Sequence, residues 1–173
     1  MDRIVTDLSA VFPPVKDQFV IGPMARITWS VPPLITGDFG VVVEFPDPVR
    51  VAILGVIKAA IPTEEEALIQ LKVAFLGTID FAKGLLTFDA SIYDSFIGVE
   101  GFKLTIEGDL ALRVSWGEKP DFALTIGGFH PTYRPPAHLL LNDVRRVKIS
   151  LMRDNPRISL TCYFAITTNT ITI

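Results

Sequence analysis

Asp80, Asp89, Asp94 and His130 are the residues whose types and spacing could do chemistry. Asp80 and Asp89 flank the compact turn Ala82-Lys83-Gly84, where two carboxylates on the polar side of a hairpin could divide acid and base work. Solvated charges on a wet face are the simpler reading. Asp89 and Asp94 differ by an odd spacing, so along one strand they point to opposite faces. Asp94 shares the register of Phe88, Ile92 and Phe96, and a carboxylate there is expected to bind backbone donors at the turn. His130 stands in Gly127-Gly128-Phe129-His130-Pro131 and could serve a hydrolase as a base beside a carboxylate. No nucleophile sits at recognisable spacing, and its two ring nitrogens suit pinning a loop. The paired glycines lack the Gly-x-Gly-x-x-Gly spacing and precede no helix, which excludes a phosphate-binding loop.

Arg145, Arg146, Lys148, Arg153 and Arg157 form the basic concentration of the chain, which an acidic partner or a phospholipid headgroup could use and which a solvated face explains more simply. Tyr133 and Arg134 lie among prolines in a segment that reads as a recognition loop. His138, beside Pro135-Pro136-Ala137, has less to recommend it. Cys162 is the single cysteine and falls in the apolar register of a strand, where a small buried hydrophobe is expected rather than a nucleophile. With one cysteine and two distant histidines there is neither a disulfide framework nor a zinc spacing. The candidate interaction or loop-pinning residues are therefore His130, Tyr133, Arg134, Asp94, Arg145 and Arg146. No catalytic residue, metal or cofactor is assigned.

The elements that must position these residues are strands. From Phe102 to Trp116 every second side chain is apolar, with Leu104, Ile106, Leu110, Leu112 and Val114 on one side and Lys103, Thr105, Glu107, Asp109 and Arg113 on the other. Period-two alternation describes a strand with one buried and one wet face, here about 50 Å long at roughly 3.3 Å per residue. Similar ribbons run from Met24 to Val31, Asp38 to Phe45, Ala67 to Phe81, Leu86 to Phe96 and Asp121 to Phe129. Val49 to Ile61 is apolar on both faces through its middle and suits a central strand covered on two sides. Short turns join the ribbons between Asp38 and Phe129, so they read as an antiparallel meander. His130 to Asp143 has an ordered-loop composition, and two last strands, Arg146 to Arg153 and Arg157 to Thr168, turn at Asp154-Asn155-Pro156. Asp2 to Val11 carries apolar residues at helical spacing and stops at Phe12-Pro13-Pro14, which predicts one short N-terminal helix.

The fold class expected is mainly β: a long-stranded antiparallel meander folded as a sandwich, flattened barrel or groove. One short helix cannot cover strands this long, so the apolar side must fold on itself or meet another molecule. Gly55, Ala59, Gly77, Ala90 and Gly108 fall in the apolar registers, as bends or bulges or as room for a ligand.

A chain of 173 residues forms a single domain, and a net charge of −3 gives no electrostatic footprint for nucleic acid. No run approaches the roughly 18 apolar residues of a membrane helix. The N-terminus lacks the apolar core of a signal peptide, so a cytoplasmic location, or export without a cleavable signal peptide, is expected.

Gly22-Pro23-Met24-Ala25-Arg26, Tyr93-Asp94-Ser95, Trp116-Gly117 before Pro120-Asp121-Phe122, Gly127-Gly128-Phe129-His130-Pro131 and Tyr163-Phe164-Ala165 leading to Thr168-Asn169-Thr170 together look familiar. The combination resembles an uncharacterised family, a domain of unknown function in large β-rich bacterial proteins. That resemblance covers the chain from about Phe12 to Thr170 and implies a module or fragment of a larger β-rich assembly, with further strands beyond the Thr-Asn-Thr element. It brings no catalytic residues with it.

The function expected from these features is a non-enzymatic structural or protein-interaction module that meets like modules or another chain through its C-terminal edge, where Ile171 and Ile173 close an apparent strand. The alternative is a carrier that holds a lipid or other apolar ligand on the apolar side of the sheet.

Overall fold

A computed structural model describes residues 19–46, 49–63, 65–99, 101–141, 143–152, 158–168 and 170–172. Twelve strands form one sheet: β1 (Phe19–Ile21), β2 (Met24–Trp29), β3 (Ile35–Phe45), β4 (Arg50–Ile61), β5 (Ile69–Asp80), β6 (Leu85–Val99), β7 (Phe102–Ser115), β8 (Asp121–Ile126), β9 (Val147–Met152), β10 (Ile158–Cys162), β11 (Phe164–Thr167) and β12 (Thr170–Thr172). A single 3-10 turn, Ala137–Leu139, interrupts the loop between β8 and β9. The helix expected over Asp2 to Val11 and the turn expected at Asp154-Asn155-Pro156 lie outside the described residues.

β3 to β8 pair in chain order, each antiparallel to the next, because two- to seven-residue connections leave a strand no partner but its neighbour. The meander then forks. β7 gives one whole edge to β6 and divides the other between β9, paired along Lys103 to Glu107, and β8, paired along Leu110 to Ser115. Gly108 marks the fork, where a Cβ would come within 2.8 Å of the Val147 backbone. The last ribbon expected, Arg157 to Thr168, is broken at Tyr163: β10 pairs with β9 on one branch, and β11 with β8 on the other. β12 closes a hairpin on β11, with Ile171 opposite Ile166. The pairing path does not return on itself, so the sheet is open.

The registers sort the side chains into two faces of different character. On one face stand Ile27, Trp29, Ile35, Phe39, Val41, Val43, Val51, Ile53, Ile57, Val73, Phe75, Ile79, Leu86, Phe88, Ile92, Leu110, Leu112, Leu124, Ile126, Ile149, Leu160, Phe164 and Ile166, each opposite another of the set or a glycine or alanine. Among the described strand positions of this face there is no charged residue. The second face is mixed, with Arg26, Asp38, Glu44, Arg50, Lys58, Asp80, Asp89, Asp109 and Arg113 among alanines, threonines and a few leucines.

Burial reverses the expectation that the oily registers face inward. Ala52, Leu54, Ala60, Leu85, Ala111, Ala123, Thr125, Ala165, Glu44 and Arg113 are buried, and all belong to the mixed face. Among the side chains of the oily face whose burial is described no apolar one is fully buried, and Ile53 at its centre is 44% exposed. β4 is thus covered on one side, not two. The mixed face is covered over β7 and β8 because the loop after β8 lies across it: Arg113 bonds the carbonyls of Leu139 and Leu140, and the Thr125 hydroxyl that of Gly128.

On the oily face Gly37, Gly55 and Gly77 leave no open space, whereas Gly108 lies beside the register shift in β6. The ring of Phe39 lies back over Gly37, Phe75 lies beside Gly55 and Phe88 beside Gly77, so a Cβ on Gly55 would meet Phe75 at 2.8 Å and one on Gly77 would meet Phe88 at 3.1 Å. Phe39, Phe75 and Phe88 form a row with ring centroids 6.0 and 5.8 Å apart. Aromatic rings laid over glycines restore contact surface that glycine lacks.

Candidate functional site

The candidate residues fall in two places. Asp94 is at a β-bulge in β6, where the register shifts between Ile92 and Ser95 and Asp94 itself takes φ 43°. The extra residue moves Phe96 to the mixed face, opposite Gln70 and Thr105, so Asp94 does not share a register with Phe88 and Phe96. Its carboxylate is exposed and 3.8 Å from the Lys72 ammonium. The acceptor at the bulge is the Asp94 carbonyl, which receives the Gln70 side-chain amide at 2.6 Å. The donor-binding role expected of the carboxylate falls to Ser95, whose hydroxyl receives the Lys72 backbone N–H at 2.9 Å. A shallow cleft of about 460 Å³ opens here between Asp94, Phe96, Glu107 and Lys148.

The second place is the fork. Arg145 forms a two-pronged pair with Asp109 of β7, at 2.9 Å from Nε and 2.7 Å from Nη2, and its backbone N–H donates to the same carboxylate at 3.1 Å. Ser91 completes the set with a hydroxyl donated at 2.7 Å. Burial acts to raise the Asp109 carboxyl, but the hydrogen bonds from Arg145 and Ser91 outweigh it and hold the carboxyl below its ordinary value. Arg146 points the other way. Its guanidinium donates to the carbonyls of Gly127 at 3.0 Å and Phe129 at 2.5 Å and lies 4.0 Å over the Tyr163 ring. The fork thus binds β7 and the Gly127 turn with charge-assisted hydrogen bonds and the β10–β11 break with a cation–π contact.

His130 and Tyr133 belong to the same surface. The His130 ring stands 6.4 Å from Tyr163, its Nδ1 is 2.7 Å from the Thr132 hydroxyl, and its carbonyl accepts the Tyr133 N–H at 2.9 Å. Tyr133 lies against Phe129 at 5.1 Å, while Arg134 is exposed. The His130 ring is engaged by a threonine two residues on. His138 has a carboxylate partner in Asp121, 3.4 Å away. Asp121 is held below its ordinary value first by the Thr168 hydroxyl.

The carboxylates of Asp80 and Asp89 are not paired. Asp80 stands opposite Leu85 and contacts Arg50 and Lys83, whereas Asp89 stands opposite Leu76 and accepts from Arg113 Nη2 on both carboxylate oxygens, at 2.9 and 3.0 Å. Of the basic concentration, Arg145, Arg146 and Lys148 are engaged within the chain, Lys148 with Glu107 at 3.8 Å, and Arg153 and Arg157 lie outside the described residues. Cys162 is exposed and not part of a core. Among the described residues no group of three or more His, Cys, Asp and Glu could hold a metal ion.

Arg113 and Asp109 are the organising residues that the sequence did not single out. Alternation places both among the solvated side chains of β7. Only the loop that returns 26 residues later makes Arg113 a buried clamp.

These features define an all-β domain: an open antiparallel sheet with one oily face and one face roofed by a loop. The chain belongs to a family of unknown function, DUF6603, whose family model matches residues 1–173. No curated protein and no solved structure matches it.

Proposed function

We propose that this domain is a non-enzymatic interaction module and that the oily sheet face is its working surface. The observation that carries the reading is the absence of charge on the described positions of that face, combined with its exposure. Six strands, β3 to β8, at a spacing of about 4.8 Å and lengths near 35 Å present roughly 1,000 Å², beyond the 300–600 Å² of the largest patch on an ordinary monomer. Such a surface in water favours contact with another apolar body. The two ends of the sheet, at β1–β2 and at β10 and β12, offer strand edges through which like modules or a partner chain can extend it.

Size-exclusion chromatography with light scattering, run with an apolar dye such as anilinonaphthalene sulfonate, tests the reading. A self-associated or ligand-loaded particle, or bright dye binding by the monomer, is expected. A ligand-free monomer at high concentration that leaves the dye dark overturns it.

A further inference from the structure

We infer that the occupant of the oily face is phospholipid, with its acyl chains lying on the sheet. The inference rests on the reading of that face as the working surface and names what it holds. A protein interface of this size would carry about one hydrogen bond per 100–200 Å², together with a polar rim. The strand positions here offer almost nothing of that kind. Ser95 is spent on the carbonyls of Tyr93 and Lys72, Cys162 is a thiol, and the remaining donor is the Trp29 indole. Hydrocarbon chains present no charge and no donor or acceptor, and a face with neither is their complement.

Relief points the same way. Two sheets that pack face to face interdigitate standing side chains. Along the row Phe39, Phe75 and Phe88 the rings instead lie over or beside Gly37, Gly55 and Gly77 and level the middle of the face. A level apolar floor suits mobile chains better than a second set of knobs.

The ends of the face are different. The two tryptophans of the chain stand toward opposite ends, Trp29 in the row of Ile35 and Ala59, one row inside Ile61 and Ile69, and Trp116 beside Phe81, with ring centroids 6.4 Å apart in the latter pair. Both are exposed, Trp29 at 74% and Trp116 at 45%, and Lys83 and Lys119 lie in the turns next to Trp116. From Ile69 at the start of β5 to Phe81 just beyond its end, twelve steps of the chain span about 40 Å. An apolar span closed at one end by an amphipathic aromatic, with lysines beyond it, matches acyl chains whose headgroups lie at that end.

The test is phospholipid uptake by the purified chain. Native mass spectrometry before and after solvent extraction should show phospholipid leaving the protein, and the extracted protein should brighten a nitrobenzoxadiazole-labelled phosphatidylcholine and carry it away from donor vesicles. Ile53→Asp, a charge at the centre of the oily face, should reduce that transfer at least tenfold, while Thr36→Asp on the mixed face leaves it within twofold, both variants keeping the β-sheet circular dichroism. Protein that carries no phospholipid and removes none from vesicles overturns the inference, including the case in which it only floats with intact vesicles. If that protein is a face-to-face dimer split by Ile53→Asp, the phospholipid inference fails while the interaction-module reading stands. A dye-dark, lipid-free monomer removes both.

Discussion

Arg113 donates from Nε to the carbonyl of Leu139 at 3.1 Å, and both residues are buried although 26 positions separate them. The same guanidinium reaches the carbonyls of Phe88 and Leu112 and both oxygens of Asp89. One side chain therefore ties the loop after β8 to β6 and β7, and through that loop decides which face of the sheet is dry. A buried guanidinium is tolerable because its donors are met; removing it would strand the carbonyls of Leu139 and Leu140.

Arg113→Met is accordingly expected to lower stability by about 3 kcal/mol, the range for a lost set of charge-assisted bonds. Urea unfolding measures it. The loop around Leu139 should become cleavable by protease at denaturant concentrations where the sheet persists, and Arg113→Lys should recover little because an ammonium lacks the planar fork.

The glycines beneath the aromatic row separate two kinds of close approach. At Gly37 the neighbours of an added Cβ are ring atoms of Phe39, whereas at Gly55 they include the Asp38 carbonyl oxygen at 2.5 Å. Gly37→Ala and Gly55→Ala should each cost about 2 kcal/mol by overpacking. Phe39→Leu should relieve the first, giving a favourable coupling in a double-mutant cycle, while Phe75→Leu should leave most of the second in place because backbone cannot move aside.

Acid should loosen the fork. The Asp109 carboxyl is held below its ordinary value in the folded chain, so between that value and the unfolded one, near 3.9, the unfolded state binds more protons and stability falls as pH is lowered. The contribution is present in full above about pH 5 and is lost as pH drops through the folded pKa. Denaturant midpoints for the native chain should decline from pH 5 to pH 3, and Asp109→Asn should show a smaller decline from a lower starting stability. Equal declines in the two would contradict the assignment.

Cys162 tests the sidedness of β10 directly. It shares a face with Val147 and is exposed, so a thiol reagent should label it to one equivalent within minutes in the folded protein once bound lipid has been extracted, without denaturant. Labelling only upon unfolding would mean that the oily face of β10 is covered.

Alternation and turns by themselves settled most of the sheet. Phe102 to Ser115 forms the long strand that its period of two requires, and Ala82-Lys83-Gly84 reverses the chain between β5 and β6, because both features depend on residues within a few positions of one another. The division of side chains between two faces follows from the same local rule, apart from Ser95 and Phe96, whose sides the bulge at Asp94 exchanges. Which face is buried, how β7 divides its edge between β8 and β9, and why Tyr163 interrupts the last ribbon were decided by tertiary structure. Those outcomes depend on Arg113 meeting Leu139, Asp109 meeting Arg145 and Arg146 meeting Gly127 and Tyr163. Each joins residues 17 or more positions apart, beyond the reach of local periodicity, and takes hold only after the loop between β8 and β9 has folded across the sheet.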